Sequence, residues 1–368
     1  MKQNKIVIFT GSFRSGGAEK VAINIANSIA KRGLETYLVV FINDGPYASL
    51  VSKDVNVILL NASRIRYSLL KAVRIIRKIN PDSVLSTQRS IHLIVGLATK
   101  LVSSALVTFR EATTFDSLAS LGLFKRLSIR ALTIATYWFA DRVIANSKYT
   151  LTDFKRNIIC DAQFFIIYNP ITDFSIQDLS DFASRSVNHH RECYKIVTAC
   201  RLEVLKDVET IIRAFKIFSA QFPDSSLEIY GEGAERSNLE RIVKDLNLEE
   251  VVQFKGYVRD WSKSSRVGDL FCLASRWEGF GNVVVEAGLA GYQLILSDCP
   301  GGMKEITYGE AFARFFLPGD VEGLAAQMQH ARLHPISPEW KNFIKNDFLV
   351  RFSIDSIVDR YLDVISPP

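Results

Sequence analysis

The 368-residue sequence has five cysteines, none two of them at the close spacing of a metal knuckle. Cys160, Cys193, Cys200, Cys272 and Cys299 are an odd set, which argues against a disulfide framework and fits free, mostly buried thiols in a reducing cytoplasm. The five histidines are as unpromising: His189 and His190 stand in a polar stretch, and His330 and His334 lie near a helix end. No metal site is expected from them. Long apolar runs are also missing. Leu93–Phe109 is interrupted by Lys100, and Ala131–Ala140 is shorter still. Neither offers the roughly 20 clean residues of a spanning helix, so any membrane contact should be peripheral. The start, "MKQNKIVIFTG", passes directly from charge into a strand-like run, unlike a secretory leader. With 48% apolar and 23% charged residues and no low-complexity tract, the disordered and fibrous classes are excluded too.

What is present is an alternation of short buried strands with amphipathic helices. "KIVIFTG", "ETYLVVFI", "SVLST", "ALVTF" and "RVIANS" read as strands, and "GAEKVAINIANSIAKRG" as a helix closed by Gly33. The pattern pauses at Asn169-Pro170 and in the polar "QDLSDFASRSVNHHRECY", then restarts with "KIVTAC", "SLEIYG", "VQFKG", "LFCLAS" and "QLILSD". Two doubly wound α/β domains are therefore expected, over about 1–172 and 190–351, with the ligand site in the cleft between them. Charge divides along the same line: residues 1–180 carry 23 Lys and Arg against 12 Asp and Glu, and residues 181–368 carry 22 against 27. The two halves should face different partners.

Three loops, two of them bearing glycines, follow strands and open helices. In "FTGSFRSGGAEKV", Gly16 and Gly17 let backbone amides approach an anion at a helix N-terminus. The spacing is not the dinucleotide G-x-G-x-x-G, and Thr36–Asn43 contains no acid, so a tight strand-to-helix turn explains it as well. In "CRLEVLKDVETI", Arg201 and Lys206 leave a strand end and could bind a diphosphate from two sides, or be two solvated charges. In "LASRWEGFGNVVVEAGLAG", Gly279 and Gly281 clear space at a helix start, with Asn282 as N-cap and Glu286 in the first turn. Glu278 and Glu286 can accept hydrogen bonds from sugar hydroxyls.

These residues, with "ADRVIANS", "YNPI", "YGEGAER", "FKGYV", "SDCPGGMKEI" and "RFSIDSIVDRYLDVI", resemble the GT-B glycosyltransferases of family four over essentially the whole chain. Those are retaining enzymes with nucleotide-sugar donors. The resemblance implies that Arg201 and Lys206 neutralise the donor diphosphate, Glu286 binds the ribose hydroxyls and Glu278 faces the donor sugar. Phe280, Gly281, Asn282 and Val283 would line sugar and phosphate with main-chain amides. Gly231, Gly233, Tyr257 and Val258 would border base and ribose, and Gly16 and Gly17 would approach from the first domain. It also implies that the last segment, 352–368, packs back on the first domain. No cofactor beyond the donor, and no metal, is implied: the D-x-D of GT-A transferases is missing. One departure stands out. Where many relatives carry a histidine, this chain reads "TFREATTF", so either Arg110 or Glu111 would take over contacts to sugar or acceptor, or the activity is altered; a plain ion pair is the other reading of Glu111.

The resemblance further implies a UDP-hexose or UDP-N-acetylhexosamine donor and a glycan or lipid-linked acceptor in polysaccharide assembly. Arg64, Arg66, Lys71, Arg74, Arg77 and Lys78, interleaved with apolar residues, could meet an anionic membrane at the inner face of the plasma membrane or simply form a solvated helix face. "LFKRLSIRALTIATYWFADR" adds Lys125, Arg126 and Arg130. Nucleic acid is disfavoured, since no binding motif is present. A GT-B epimerase, a phosphorylase and a non-catalytic nucleotide-sugar-binding subunit are the competing readings.

Overall fold

The structure is a computed structural model. It describes residues 4–14, 16–62, 64–115, 122–171, 193–264, 269–335 and 347–367; within these, nothing is described for the side chains of residues 66, 123–126, 263 and 264. Arg66, Lys125 and Arg126, and the polar stretch with His189 and His190, therefore lie outside the described side chains. The chain divides into two compact units, one formed by residues 1–172 with 351–368 and the other by 173–350.

The first unit is a seven-stranded, all-parallel sheet in the order β3-β2-β1-β4-β5-β6-β7. Its strands are β1 (Lys5–Ser12), β2 (Glu35–Ile42), β3 (Asn56–Leu59), β4 (Ser83–Ser86), β5 (Leu106–Glu111), β6 (Arg142–Ala145) and β7 (Gln163–Ile166). Period-two alternation sorts the central side chains to two faces. Ile6, Ile8, Leu38 and Val40 enter one apolar cluster; Val7, Phe9, Val39 and Phe41 enter another. Helix α1 (Gly17–Lys31) covers the first face, and α2 (Leu69–Ile79) and α3 (Arg89–Val102) the second. Helix α4 (Leu123–Tyr137) packs beside α3, and α5 (Lys148–Asn157), capped by the Ser147 hydroxyl, packs on β6 and β7.

The first face is completed from the far end of the sequence. The helix Ile354–Ile365 presents Ile357, Tyr361, Val364 and Ile365, at helical spacing, to the cluster containing Ile6 and Ile8. Ser353 caps it by accepting from Ser356 N at 3.2 Å. Arg32, the C-cap of α1, reaches Asp359 at 2.8 Å, and Arg360 donates to the Ile166 carbonyl at 2.7 Å. Each buried apolar side chain of this helix contributes about 1.5–3 kcal/mol relative to exposure, which makes the helix part of the unit's core.

The second unit has a six-stranded parallel sheet in the order β10-β9-β8-β11-β12-β13. Its strands are β8 (Tyr194–Ala199), β9 (Ser225–Tyr230), β10 (Val252–Gly256), β11 (Leu270–Leu273), β12 (Gln293–Ser297) and β13 (Ala313–Phe316). Both expected doubly wound sheets are thus present. In each, strand order reverses once: between β1 and β4, and between β8 and β11. Ligands of open α/β sheets bind beyond the strand C-termini at such a reversal. In the second sheet this edge is formed by the loops after β8 and β11, and in the first by those after β1 and β4.

Candidate functional site

The loop after β8 runs from Cys200 to Asp207 and the loop after β11 from Ala274 to Gly281. Backbone bonds join them: Arg276 N donates to the Leu205 carbonyl at 2.9 Å, and the Arg276 guanidinium pairs with Asp207 at 3.2 Å. The β8 loop is fixed on its other side by Cys200 N to Tyr230 O and Leu202 N to Glu232 O, both 3.0 Å. Gly231 adopts φ 127°, and a Cβ there would fall 1.8 Å from the Cys200 carbonyl oxygen. The close approach of these loops therefore requires glycine at that position. Gly233 lies equally tight against Leu202, while Tyr257 and Val258 stand exposed after β10.

At this junction Lys206 donates to the Glu278 carboxylate, and both side chains are largely buried. Burial disfavours the Lys206 charge, but the Glu278 carboxylate outweighs it and holds the ammonium pKa above its ordinary value. Arg201 is near enough that its charge acts in the opposite direction on Lys206. Arg201 is itself exposed and pairs with Glu203 at 3.0 Å. Such a solvent-facing pair is worth about 0–1 kcal/mol, so the guanidinium can exchange Glu203 for a phosphate at little cost. Glu278 is further set by Ser275 Oγ at 3.4 Å and by its own N–H on the Pro300 carbonyl at 3.0 Å. Burial pushes the Cys200 and Cys299 thiols beside this pair up to about 11, so both stay protonated at neutral pH.

The helix Asn282–Leu289 begins directly after the β11 loop. Two sequence expectations shift here. The N-cap is Gly281, in the left-handed region at φ 91°, and Asn282 is already the first helical residue. Glu286 consequently lies in the second turn instead of the first. The left-handed turn delivers the chain to the helix axis, where the amides of the first turn lack helical acceptors. Phe280 is buried and anchors the turn, so only its main chain is available to a ligand. Trp261 Nε1 donates to Glu286 Oε2 at 3.0 Å, and the indole packs against Phe271, Tyr292 and Tyr230. Sequence reasoning passed over Trp261. The signal was a lone tryptophan just after "FKGYV", without any motif around it.

In the first unit, Gly16 is the N-cap of α1 with extended backbone at φ −125°, and Gly17 is its first residue. A Cβ at Gly16 would meet only the Glu19 carboxylate, at 2.2 Å, the far end of a flexible side chain that can move aside. Arg110 and Glu111 behave differently from the expectation that they meet sugar or acceptor. Arg110 is 1% exposed, with its guanidinium on the Tyr361 hydroxyl at 3.0 Å and on Asn169. That burial also removes Arg110 from any membrane-facing set. Glu111 is buried in an ion-pair network with Arg89 at 2.5 Å, the Tyr137 hydroxyl, and His92 Nε2 at 3.4 Å. Burial raises its pKa, but Arg89 and His92 overcome this and hold it at about 2. The plain ion pair is the reading that fits. His92, stacked flat on Phe109 at 4.3 Å and bonded through Nδ1 to Ser86 Oγ at 2.7 Å, has no motif around it in sequence, lying in the first turn of α3 at the head of an apolar run.

Arg64, Arg74, Arg77 and Lys78 are exposed on α2 and the turn before it. Lys71 is engaged: its ammonium caps the Leu60 carbonyl at 2.8 Å. Among the described residues there is no group of three or more His, Cys, Asp and Glu suited to a metal, and no helix is long and apolar enough to cross a membrane.

Two doubly wound parallel sheets, each in its own unit, are the architecture of GT-B glycosyltransferases. The chain belongs to that class by family as well: residues 15–173 match the model Glycosyltransferase Family 4 and residues 180–346 the model Glycosyl transferases group 1. It is 26% identical over 356 residues to the lipopolysaccharide core biosynthesis glycosyltransferase LpsD of Rhizobium meliloti, covering 95% of this chain and 94% of that protein. It is 25% identical over 319 residues to the N-acetylgalactosamine-N,N'-diacetylbacillosaminyl-diphospho-undecaprenol 4-alpha-N-acetylgalactosaminyltransferase of Campylobacter jejuni, covering 84% of each. Among solved structures, Anabaena Alr3699/HepE in complex with UDP and glucose superposes with a TM-score of 0.79 at 19% identity, covering 99% of this chain and 100% of that one.

Proposed function

We propose that the enzyme transfers a hexose or N-acetylhexosamine from a UDP-linked donor, with retention of configuration, to a membrane-associated glycan or lipid-linked acceptor in surface-polysaccharide assembly. The observation that carries this reading is the Lys206–Glu278 pair at the start of the helix Asn282–Leu289, where β8 and β11 part.

The chemistry follows from what each group can do. A nucleoside diphosphate departs easily once its growing charge is spread. Arg201 offers a planar fork, Lys206 a point charge, and the amides of Gly281, Asn282 and Val283 a set of oriented dipoles. Glu286, fixed by Trp261, would accept the two ribose hydroxyls. Glu278 would accept from the sugar, holding its anomeric carbon toward the acceptor while Lys206 turns to the phosphate. Attack on the face from which the diphosphate leaves needs no enzymic base, because a departing phosphate oxygen can take the acceptor's proton. The acids are donor-binding groups here and differ from the paired acid and base of a glycosidase.

UDP as the base-bearing group is supported by the UDP and UDP-glucose complexes of HepE. Lipid-linked or lipopolysaccharide acceptors are supported by the names of the Campylobacter and Rhizobium relatives. Peripheral contact with an anionic membrane at its cytoplasmic face is supported by Arg74, Arg77 and Lys78, exposed on α2 beside Leu70, which is 69% exposed.

Incubating the protein with a panel of UDP-sugars, with and without a membrane lipid extract, tests the proposal. Release of UDP that requires the extract is the expected result. A donor altered without extract would indicate an epimerase, and an unchanged donor under both conditions a binding subunit.

A further inference from the structure

The first unit has a groove of about 600 Å³ that none of the chemistry above uses. It lies between α3 and α4, walled by Leu93 and Ile94 on one side and Ile129 and Leu132 on the other. Arg64 and Arg89 also line it. Its size falls within the roughly 300–1,000 Å³ of small-molecule sites.

Three observations bear on what it holds. Leu132 is 57% exposed although it faces other apolar side chains across the groove. Ser90, Thr133 and Thr136 also line the groove, with the two threonine hydroxyls already donating to the Ile129 and Leu132 carbonyls; the apolar walls suit a hydrocarbon chain better than a free phosphate or sugar. The surroundings are cationic: Arg74, Arg77 and Lys78 are exposed on α2, and helices α2, α3 and α4 contain no Asp or Glu. Arg64 is exposed, and its side chain has no hydrogen-bonding or ionic partner among the described residues. Arg89 is already committed, to Glu111, to the Thr113 carbonyl at 3.0 Å and to the face of Phe115. The third observation is direction. Arg89 opens α3 just beyond the C-terminal end of β4, and Arg64 follows the C-terminal end of β3. The charged end of the groove is thus at the ligand-binding edge of the sheet, and its apolar walls begin at Leu93, one turn into α3, and at Ile129, nearly two turns into α4.

We propose that this groove holds the headgroup-proximal hydrocarbon of a diphosphate-linked polyisoprenoid acceptor, with Arg64 beside the diphosphate. The inference rests on the lipid-linked reading of the acceptor and assigns that lipid a place on the molecule. A phosphorylated headgroup with an unsaturated, branched chain satisfies the cation and the walls together; inorganic diphosphate satisfies the cation alone.

Calorimetric titration of the full chain in excess UDP, with farnesyl diphosphate and with inorganic diphosphate, tests it. Farnesyl diphosphate should bind at least tenfold more tightly than inorganic diphosphate. Leu132→Glu and, independently, the groove-filling Ser90→Trp should each weaken farnesyl diphosphate at least tenfold while UDP binding and the thermal midpoint stay as in the wild type. Arg64→Glu should weaken both diphosphates. Equal affinity for the two ligands, or farnesyl diphosphate binding untouched by both groove variants, would overturn the proposal. Failure of the wild type to bind UDP would remove the donor reading and leave the groove result standing, so the two can fail separately.

Discussion

Lys206 and Glu278 are 72 residues apart in sequence and share a hydrogen bond at the point where the second sheet reverses its strand order. Each comes from a loop that glycine geometry and backbone bonds hold in place. The ammonium is therefore held at the loop junction, and in the proposed reaction it has only to turn from Glu278 to the donor phosphate.

Lys206→Ala should lower kcat about 10²–10³-fold, the usual loss when one charge-stabilising donor is removed. It also leaves the Glu278 carboxylate largely buried without its cation, at a cost of about 1–3 kcal/mol in stability. Transfer assays and denaturant titration check both, and the double change with Glu278→Gln should recover part of the stability and none of the activity. Because the folded Lys206 pKa is raised, the pair stabilises fully below its unfolded value of 10.5 and is lost as pH rises through the folded one.

Trp261→Phe keeps the aromatic stack and removes the Nε1 donor from Glu286. The acid then loses its orientation for the ribose. We expect KM for the UDP-sugar to rise about tenfold, equivalent to about 1.4 kcal/mol, with kcat changed far less. Glu286→Ala should abolish transfer while the circular dichroism spectrum is retained. Equal KM in wild type and Trp261→Phe would separate Trp261 from donor binding.

The first unit should lose stability in two stages on acidification. Burial holds the His92 pKa below its ordinary 6.5, so the unfolded chain takes up this proton first and stability falls as pH drops through 6.5. Glu111 follows. Its pKa moves from 4.5 to about 2 on folding, so its contribution is complete above 4.5 and vanishes toward pH 2. That shift corresponds to about 3 kcal/mol. Urea midpoints measured from pH 7 to pH 2 should show both stages in the wild type, and Glu111→Gln should flatten the lower one. Arg89, Tyr137 and Ser86 are the other polar groups facing this pair.

Arg74, Arg77 and Lys78 provide the test of membrane contact. Reversing all three to Glu should abolish co-flotation with phosphatidylglycerol vesicles, since each basic residue near an anionic surface is worth about 1 kcal/mol. Wild-type flotation should weaken with added salt. Binding to neutral phosphatidylcholine vesicles that matches the anionic case would point to Leu70 and its apolar neighbours as the cause.

Much of the architecture was legible because the relevant signals are local. Alternation within "KIVIFTG" sends Ile6 and Ile8 to one face and Val7 and Phe9 to the other, and a strand in the middle of a parallel sheet requires that. Glu278 could be singled out because its loop sits between a strand and a helix start. What escaped depends on distant partners. A Glu at a strand end looks the same in sequence whether it faces water or Arg89, His92 and Tyr137. Arg110 reads as a surface cation until Tyr361, 251 residues away, is seen to cover it. The helix start was misplaced by one residue because Asn is a favoured N-cap, yet the left-handed turn needed at that position is more easily made by Gly281.

The route of the chain orders events on the ribosome. The face bearing Ile6 and Ile8 stays partly open until residue 365 has been synthesised, because the helix Ile354–Ile365 that closes it is read after the whole second unit. The second unit, contiguous from 173 to 350, has all its strands in hand before that moment. During synthesis the later-coded unit can therefore mature first, and the earlier one waits half-sealed for its final helix.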